Sequence, residues 1–236
     1  MRTLGVDLAA QPKNTSIAVL DGTRVIDLVS SADDDQIVAM ADRCDAVGID
    51  APLGWPDAFI GVVTAHHHGD PVPAAEPRSL QLRRTDLVVH ETTGKRPLSV
   101  STDRIGVVAL RAVGLLQRLA GNGADRSGEA GVYETYPGAA IAHWRLVDGS
   151  YKRPDATPQR RTIVEALATH LDIGAFTERM IASDDDLDAV LCAAIVALAV
   201  DGRTRRPEPD DAEIARREGW IHVPCGPLAD LDTLAP

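Results

Sequence analysis

Three apolar, strand-like runs in this chain end in a carboxylate: Gly5-Val6-Asp7, Gly48-Ile49-Asp50 and the run closing on Tyr133-Glu134. A fourth acidic stretch, Ser183-Asp184-Asp185-Asp186-Leu187-Asp188, opens a long apolar helical run. Asp185 and Asp188 are three residues apart, so they share one side of that helix. A fold that gathers strand ends and a helix N-terminus at one place gathers these carboxylates with them. Like charges held that way repel one another unless a cation sits between them. The pattern points to Mg2+ or Mn2+, hard cations that take oxygen ligands.

The order of elements follows from periodicity and turn residues. Strands are expected over 2–9, 15–20 and 24–29, with a hairpin turn at Asp21-Gly22. Ser31 precedes a helix carrying Asp33 to Asp35 in its first turn. A buried fourth strand covers 45–50. From about 51 to 102 the many Pro and Gly residues predict an irregular insertion. Thr102 or Asp103 is the expected cap of a helix running to Leu119. A fifth strand over 131–136 stops at Pro137, and helices follow over 138–146 and 159–170. Ser183 caps the last long helix, with Asp186 in the acid position of a capping box. A short final strand is expected near Trp220-Ile221-His222-Val223. Short turns join the early strands and helices the later ones. One domain over 1–236 is expected, an α/β fold with a mixed five-stranded sheet and helices on both faces.

Hydrophobic residues make up 44% and aromatics only 3%, so Ala, Val, Leu and Ile must fill the core. No run is long and apolar enough to span a membrane, and the strand pattern begins at once, without a signal peptide. Cys44, Cys192 and Cys225 are odd in number and far apart, which favours reduced thiols and a cytoplasmic setting. The net charge of −11 argues against general affinity for nucleic acid, which needs phosphate neutralisation. Local basic groups remain, notably Arg83, Arg84, Lys95, Arg96 and Arg104, and then Lys152, Arg153, Arg160 and Arg161.

Among individual residues, Asp7, Asp50, Asp185 and Asp188 are the candidate metal ligands. Asp184 and Asp186 are expected to do no more than favour the helix dipole, worth about 0.3–1 kcal/mol each. Glu134 is open to three roles: metal ligand, acceptor from a substrate hydroxyl, or partner of an arginine. Arg84 is a candidate for holding a phosphate, with Asp86 as its partner, and an ordinary surface ion pair competes with that reading. Lys152, before a Pro-bounded loop, is a second candidate for a phosphate contact. Trp55 is a packing plug or a stacking surface. His66-His67-His68 has no second ligand cluster at zinc-like spacing and reads as a polar loop.

The order of elements resembles the ribonuclease H-like fold, and Asp185-x-x-Asp188-Ala189 is similar to the last helix of RuvC-type resolvases. Over nearly its full length the chain resembles the DUF429 family of predicted nucleases. The matching pieces are Gly5-Val6-Asp7, Gly48 through Pro56, Arg84-Thr85-Asp86, Tyr133 through Pro137, Ser183 through Ala189 and Glu218-Gly219-Trp220-Ile221. The resemblance implies metal-dependent hydrolysis of a phosphodiester in nucleic acid or a nucleotide. Asp7, Asp50, Glu134, Asp185 and Asp188 would be its catalytic acids, with Arg84, Asp86, Lys152 and Trp55 against the substrate. Two other readings stand beside it: a non-enzymatic scaffold of the same fold binding a nucleotide or protein partner, and a phosphotransferase of the actin-like and sugar-kinase group. The latter needs two such domains and glycine-rich phosphate loops, which this sequence lacks.

Overall fold

The computed structural model describes residues 1–234. Its centre is a six-stranded sheet in the order β3-β2-β1-β4-β5-β6. β1 (Arg2–Asp7), β2 (Ser16–Asp21) and β3 (Arg24–Ser30) form an antiparallel meander. β4 (Ala46–Ile49), β5 (Val132–Thr135) and β6 (Ile221–His222) then run parallel to β1. The expected sheet had five strands; the short run after Trp220 supplies the sixth by pairing with β5.

Alternation along the strands separates two apolar cores. Leu4, Val6, Ile17, Val19, Val47 and Ile49 face one side. There they meet α1 (Asp34–Ala41) through Ile37, and α5 (Ile105–Ala120) through Ala112, Leu115 and Leu116. Ala18, Leu20, Val25 and Leu28 face the other side. α6 (Pro137–Trp144), α7 (Thr157–Leu167), α8 (Thr177–Ala182) and α9 (Asp184–Val200) contribute Ile141, Ile163, Met180 and Leu191 to that core.

α9 is the central helix. Every residue from Asp186 to Ala199 is buried, as expected of a helix that is apolar all round. Its position depends on two glycines. A Cβ on Gly5 would lie 2.0 Å from the Ala189 carbonyl oxygen and 2.3 Å from the Ala193 nitrogen. A Cβ on Gly48 would lie 2.8 Å from the Cys192 carbonyl oxygen. Glycine inside a strand is otherwise unfavourable. Here it lets the backbone of α9 lie directly on β1 and β4. The Thr3 hydroxyl, on the same face as Gly5, donates to the Ala193 carbonyl at 2.9 Å.

Three expectations are corrected. The segment 51–102 is not irregular: it holds α2 (Asp57–His68), α3 (Pro77–Gln81) and α4 (Arg84–Thr93). His66, His67 and His68 form the exposed last turn of α2 rather than a loop. α4 is fastened to the sheet edge, where Val89 packs on Ile221 and the Ile221 N–H donates to the Thr85 hydroxyl at 2.8 Å. Neither Thr102 nor Asp103 caps α5; Asp103 accepts from the Ser99 N–H at 2.7 Å, inside the preceding turn. α10 (Ala212–Glu218) precedes β6. No helix among the described residues is long and apolar enough to cross a membrane.

Candidate metal centre

The two Gly-x-Asp motifs are in register. Gly5 pairs with Gly48 and Val6 with Ile49 across parallel strands, so Asp7 and Asp50 stand side by side at the C-terminal edge of the sheet. The Asp50 N–H donates to the Val6 carbonyl at 2.9 Å, which fixes the exit of β4. Side chains two apart on a strand share a face. Asp7 and Asp50 therefore point to the side of Gly5 and Gly48, where α9 lies. Asp188, in the second turn of α9, meets them there. Carboxylate oxygens of Asp7, Asp50 and Asp188 lie within 4.8 Å of one another.

The electrostatics follow from this crowding. Burial pushes the Asp7 carboxyl well above the usual range, and the charges of Asp188 and Asp50 add to it. Burial pushes Asp50 up to about 7, with Lys152 opposing and Asp188 adding. Asp188 is raised by burial, against the pull of Lys152 and Tyr151. The free site thus holds protons near neutral pH. Three hard oxygen donors at this spacing equally suit a small divalent cation.

A cation of the chain's own is already close. The Lys152 ammonium lies 2.6 Å from one oxygen of Asp188 and 3.9 Å from one of Asp50. Burial disfavours its charge, but Asp188, Asp50 and Asp7 outweigh that and raise its pKa. The neighbouring Tyr151 hydroxyl donates to Asp188 at 2.9 Å. Buried Arg160 holds this segment in place. Its guanidinium donates to the carbonyls of Tyr151 at 2.9 Å, Arg153 at 3.0 Å and Ile181 at 2.8 Å. Arg160 is therefore a clamp between the Lys152 segment and α8, not part of a solvated basic patch. The sequence marks Arg160 only as one of a basic group and gives no signal for Tyr151 beyond its place beside Lys152 and a Pro-bounded loop.

Asp185 is half-buried and stands beside Asp7, outside the tight group of three. Asp186 does more than favour the helix dipole. Its backbone N–H is capped by the Ser183 hydroxyl at 3.2 Å. Its buried carboxylate accepts from the hydroxyls of Ser16 at 2.7 Å and Ser30 at 2.9 Å, and pairs with Arg179 at 3.0 Å. It thereby ties the start of α9 to β2 and β3.

Glu134 stands at the end of β5, and both its oxygens are engaged. Arg83, 1% exposed, donates to them at 2.7 Å each, and the Leu53 N–H adds a third bond at 3.0 Å. Arg83 also grips Asp86, with its closest contact at 2.8 Å, and the Glu218 carbonyl at 3.2 Å. The expected pairing of Asp86 with Arg84 is thus replaced: Asp86 belongs to Arg83, and Arg84 pairs with Asp211 at 2.9 Å on the surface. The arginine beside the site is Arg83. Trp55 is half-buried on the loop between β4 and α2.

A cavity of about 250 Å3 adjoins the acids, lined among others by Asp50, Glu134, Tyr136 and Lys152. A model of the family described as "Protein of unknown function (DUF429)" matches residues 5–213. No curated protein and no solved structure matches the chain.

Proposed function

This chain belongs to the DUF429 family, whose function is unknown, and from that premise we propose that it is a divalent-metal-dependent phosphodiesterase, of the nuclease type, on a ribonuclease H-like fold. The observation that carries the reading is the meeting of Asp7, Asp50 and Asp188 within 4.8 Å at one sheet edge, with Lys152 beside them. The fold reading is supported by the antiparallel β3-β2-β1 meander continued by parallel β4 and β5, with the long helix α9 laid across it. The three cysteines are all free thiols, which fits a reducing, cytoplasmic setting.

Asp7, Asp50 and Asp188 would hold Mg2+ or Mn2+, and Asp185 beside Asp7 offers a fourth carboxylate for a second ion. Bound metal would supply Lewis acidity and a water acidic enough to attack at neutral pH. In the reaction the water oxygen bonds to phosphorus, the ester P–O bond breaks, and the leaving alkoxide takes a proton. Asp50, pushed up to about 7 in the metal-free site, would give up its proton on binding the ion. Lys152, half-exposed and 2.6 Å from Asp188, would be released to neutralise the phosphate if a metal ion took over the charge of the acids. Glu134 acts indirectly, because Arg83 takes both its oxygens and it braces the loop after β4.

One observation favours a second reading, a non-enzymatic binding scaffold: the Lys152–Asp188 pair already supplies a counter-charge. Hydrolysis of bis-p-nitrophenyl phosphate and of a panel of DNA and RNA substrates, with and without Mn2+, separates the two. Asp188→Asn is expected to lower the metal-dependent rate by about 10²-fold or more. Lys152→Met should slow turnover, while Arg84→Ala should leave it unchanged. Cleavage that Asp188→Asn does not diminish would belong to a contaminant, and an absence of metal-dependent cleavage would leave the scaffold.

A further inference from the structure

The cavity beside the acids has a division of chemistry that bears on the substrate. Asp50 and Lys152 line it, and both belong to the acid cluster. Much of the remaining wall is apolar, formed by Pro52, Pro97, Leu98, Ile105 and Ile221. Arg83 and Glu134 also border it, but they are occupied with each other. Both guanidinium NH2 groups and the Nε–H of Arg83 are bonded to Glu134, Asp86 and the Glu218 carbonyl. All the donors of an arginine are thereby used, so Arg83 has none left for an occupant of the cavity. The side chain of Leu98, 59% exposed, sits on this wall, an apolar surface that an occupant would cover.

The volume sets the size of that occupant. An apolar cavity of roughly 150 Å3 holds a benzene ring, and drug-sized ligands need about 300–1,000 Å3. At about 250 Å3 the cavity suits one ring system, single or fused. The net charge of −11 disfavours a long polyanion. We infer that the substrate is a small phosphodiester with a mononucleotide-sized part carrying one ring system, the ring in this cavity and the phosphate between Lys152 and the acid cluster, so that phosphomonoesters serve as product-like binding probes. The inference rests on the metal-site reading above and specifies its substrate class.

Calorimetry on the full chain tests it. Mg2+ is titrated first; AMP, ribose 5-phosphate, methyl phosphate and a long single-stranded oligonucleotide are then titrated into the Mg2+-loaded protein. AMP should bind at least about tenfold more tightly than methyl phosphate and ribose 5-phosphate, a difference of about 1.4 kcal/mol. Ile105→Trp, which fills the cavity, should remove that preference and leave Mg2+ binding intact. Leu98→Ala, at an exposed position that does not threaten folding, should weaken AMP several-fold and methyl phosphate not at all. Equal binding of AMP and methyl phosphate by a protein that does bind Mg2+ overturns the ring pocket alone. Tighter binding of the oligonucleotide than of AMP does the same. A protein that binds no Mg2+ loses the metal reading and this inference with it.

Discussion

Replacing Asp7 by Asn should stabilise the metal-free protein and abolish its response to metal. The carboxylates of Asp7, Asp50 and Asp188 lie within 4.8 Å of one another. At an effective dielectric of about 20, each fully charged pair at that distance repels by about 3.5 kcal/mol. Asp7→Asn removes two of the three pairs, about 7 kcal/mol if all three acids were fully charged at that separation. Protons and Lys152 already relieve part of this, since Asp50 titrates at about 7. A net gain of roughly 1–3 kcal/mol remains at pH 8, and for a chain of this size each kcal/mol is worth about 2–4 °C in Tm. The sign depends on pH. The folded state holds the Asp50 proton more tightly than the unfolded chain does. The stability this confers is complete below the ordinary carboxylate value and is lost as pH rises through about 7. The advantage of Asp7→Asn should therefore be largest at pH 8 and shrink towards pH 5, where Asp50 is protonated. Added Mn2+ should reverse the order. Wild type gains RT ln(1 + [L]/Kd), about 2.7 kcal/mol at a hundredfold excess over Kd, and the variant gains little. Thermal unfolding of both proteins at pH 5 and pH 8, in EDTA and in Mn2+, measures all of this. An Asp7→Asn protein no more stable than wild type in EDTA at pH 8, or one that responds equally to Mn2+, would refute the reasoning.

Gly5→Ala places a methyl carbon 2.0 Å from a backbone oxygen of α9 that no rotamer change can move. It should cost about 3 kcal/mol or more in urea unfolding, the upper end of overpacking penalties. Gly48→Ala, with 2.8 Å as its closest approach, should cost less, and equal effects would contradict the close-packing argument. Arg83→Met leaves Glu134 and Asp86 buried without a counter-charge and should destabilise by roughly 3–5 kcal/mol. A loss under 1 kcal/mol in the same assay would mean that the acids find other partners or stay protonated.

Much of the fold was legible because its determinants are local. The Asp-Gly hairpin, the buried run at 46–49, the Ser183 cap and the unbroken apolar course of α9 each follow from neighbouring residues. The insertion was less legible. Its Pro and Gly residues suggested irregular chain, yet several of them stand at the boundaries of α2, α3 and α4, with Pro56 before α2, Pro77 at the start of α3, and Gly69 and Gly94 in the left-handed conformation at helix ends.

The division is clearest at the candidate site. By itself the sequence determined that carboxylates end two apolar strands and open an apolar helix, because strand and helix periods are set by the backbone. It also placed a glycine two residues before Asp7 and before Asp50. Only the tertiary structure decided what those glycines do: they admit α9 at backbone contact and so carry Asp188 to the strand ends. It likewise decided between adjacent arginines, burying Arg83 against Glu134 and Asp86 and turning Arg84 to Asp211. It turned Asp186 into an anchor and brought Lys152 to the acids through the Arg160 clamp. Ion-pair partners are chosen by which buried charges the packing of distant segments leaves otherwise uncompensated, and spacing along the chain does not encode that choice.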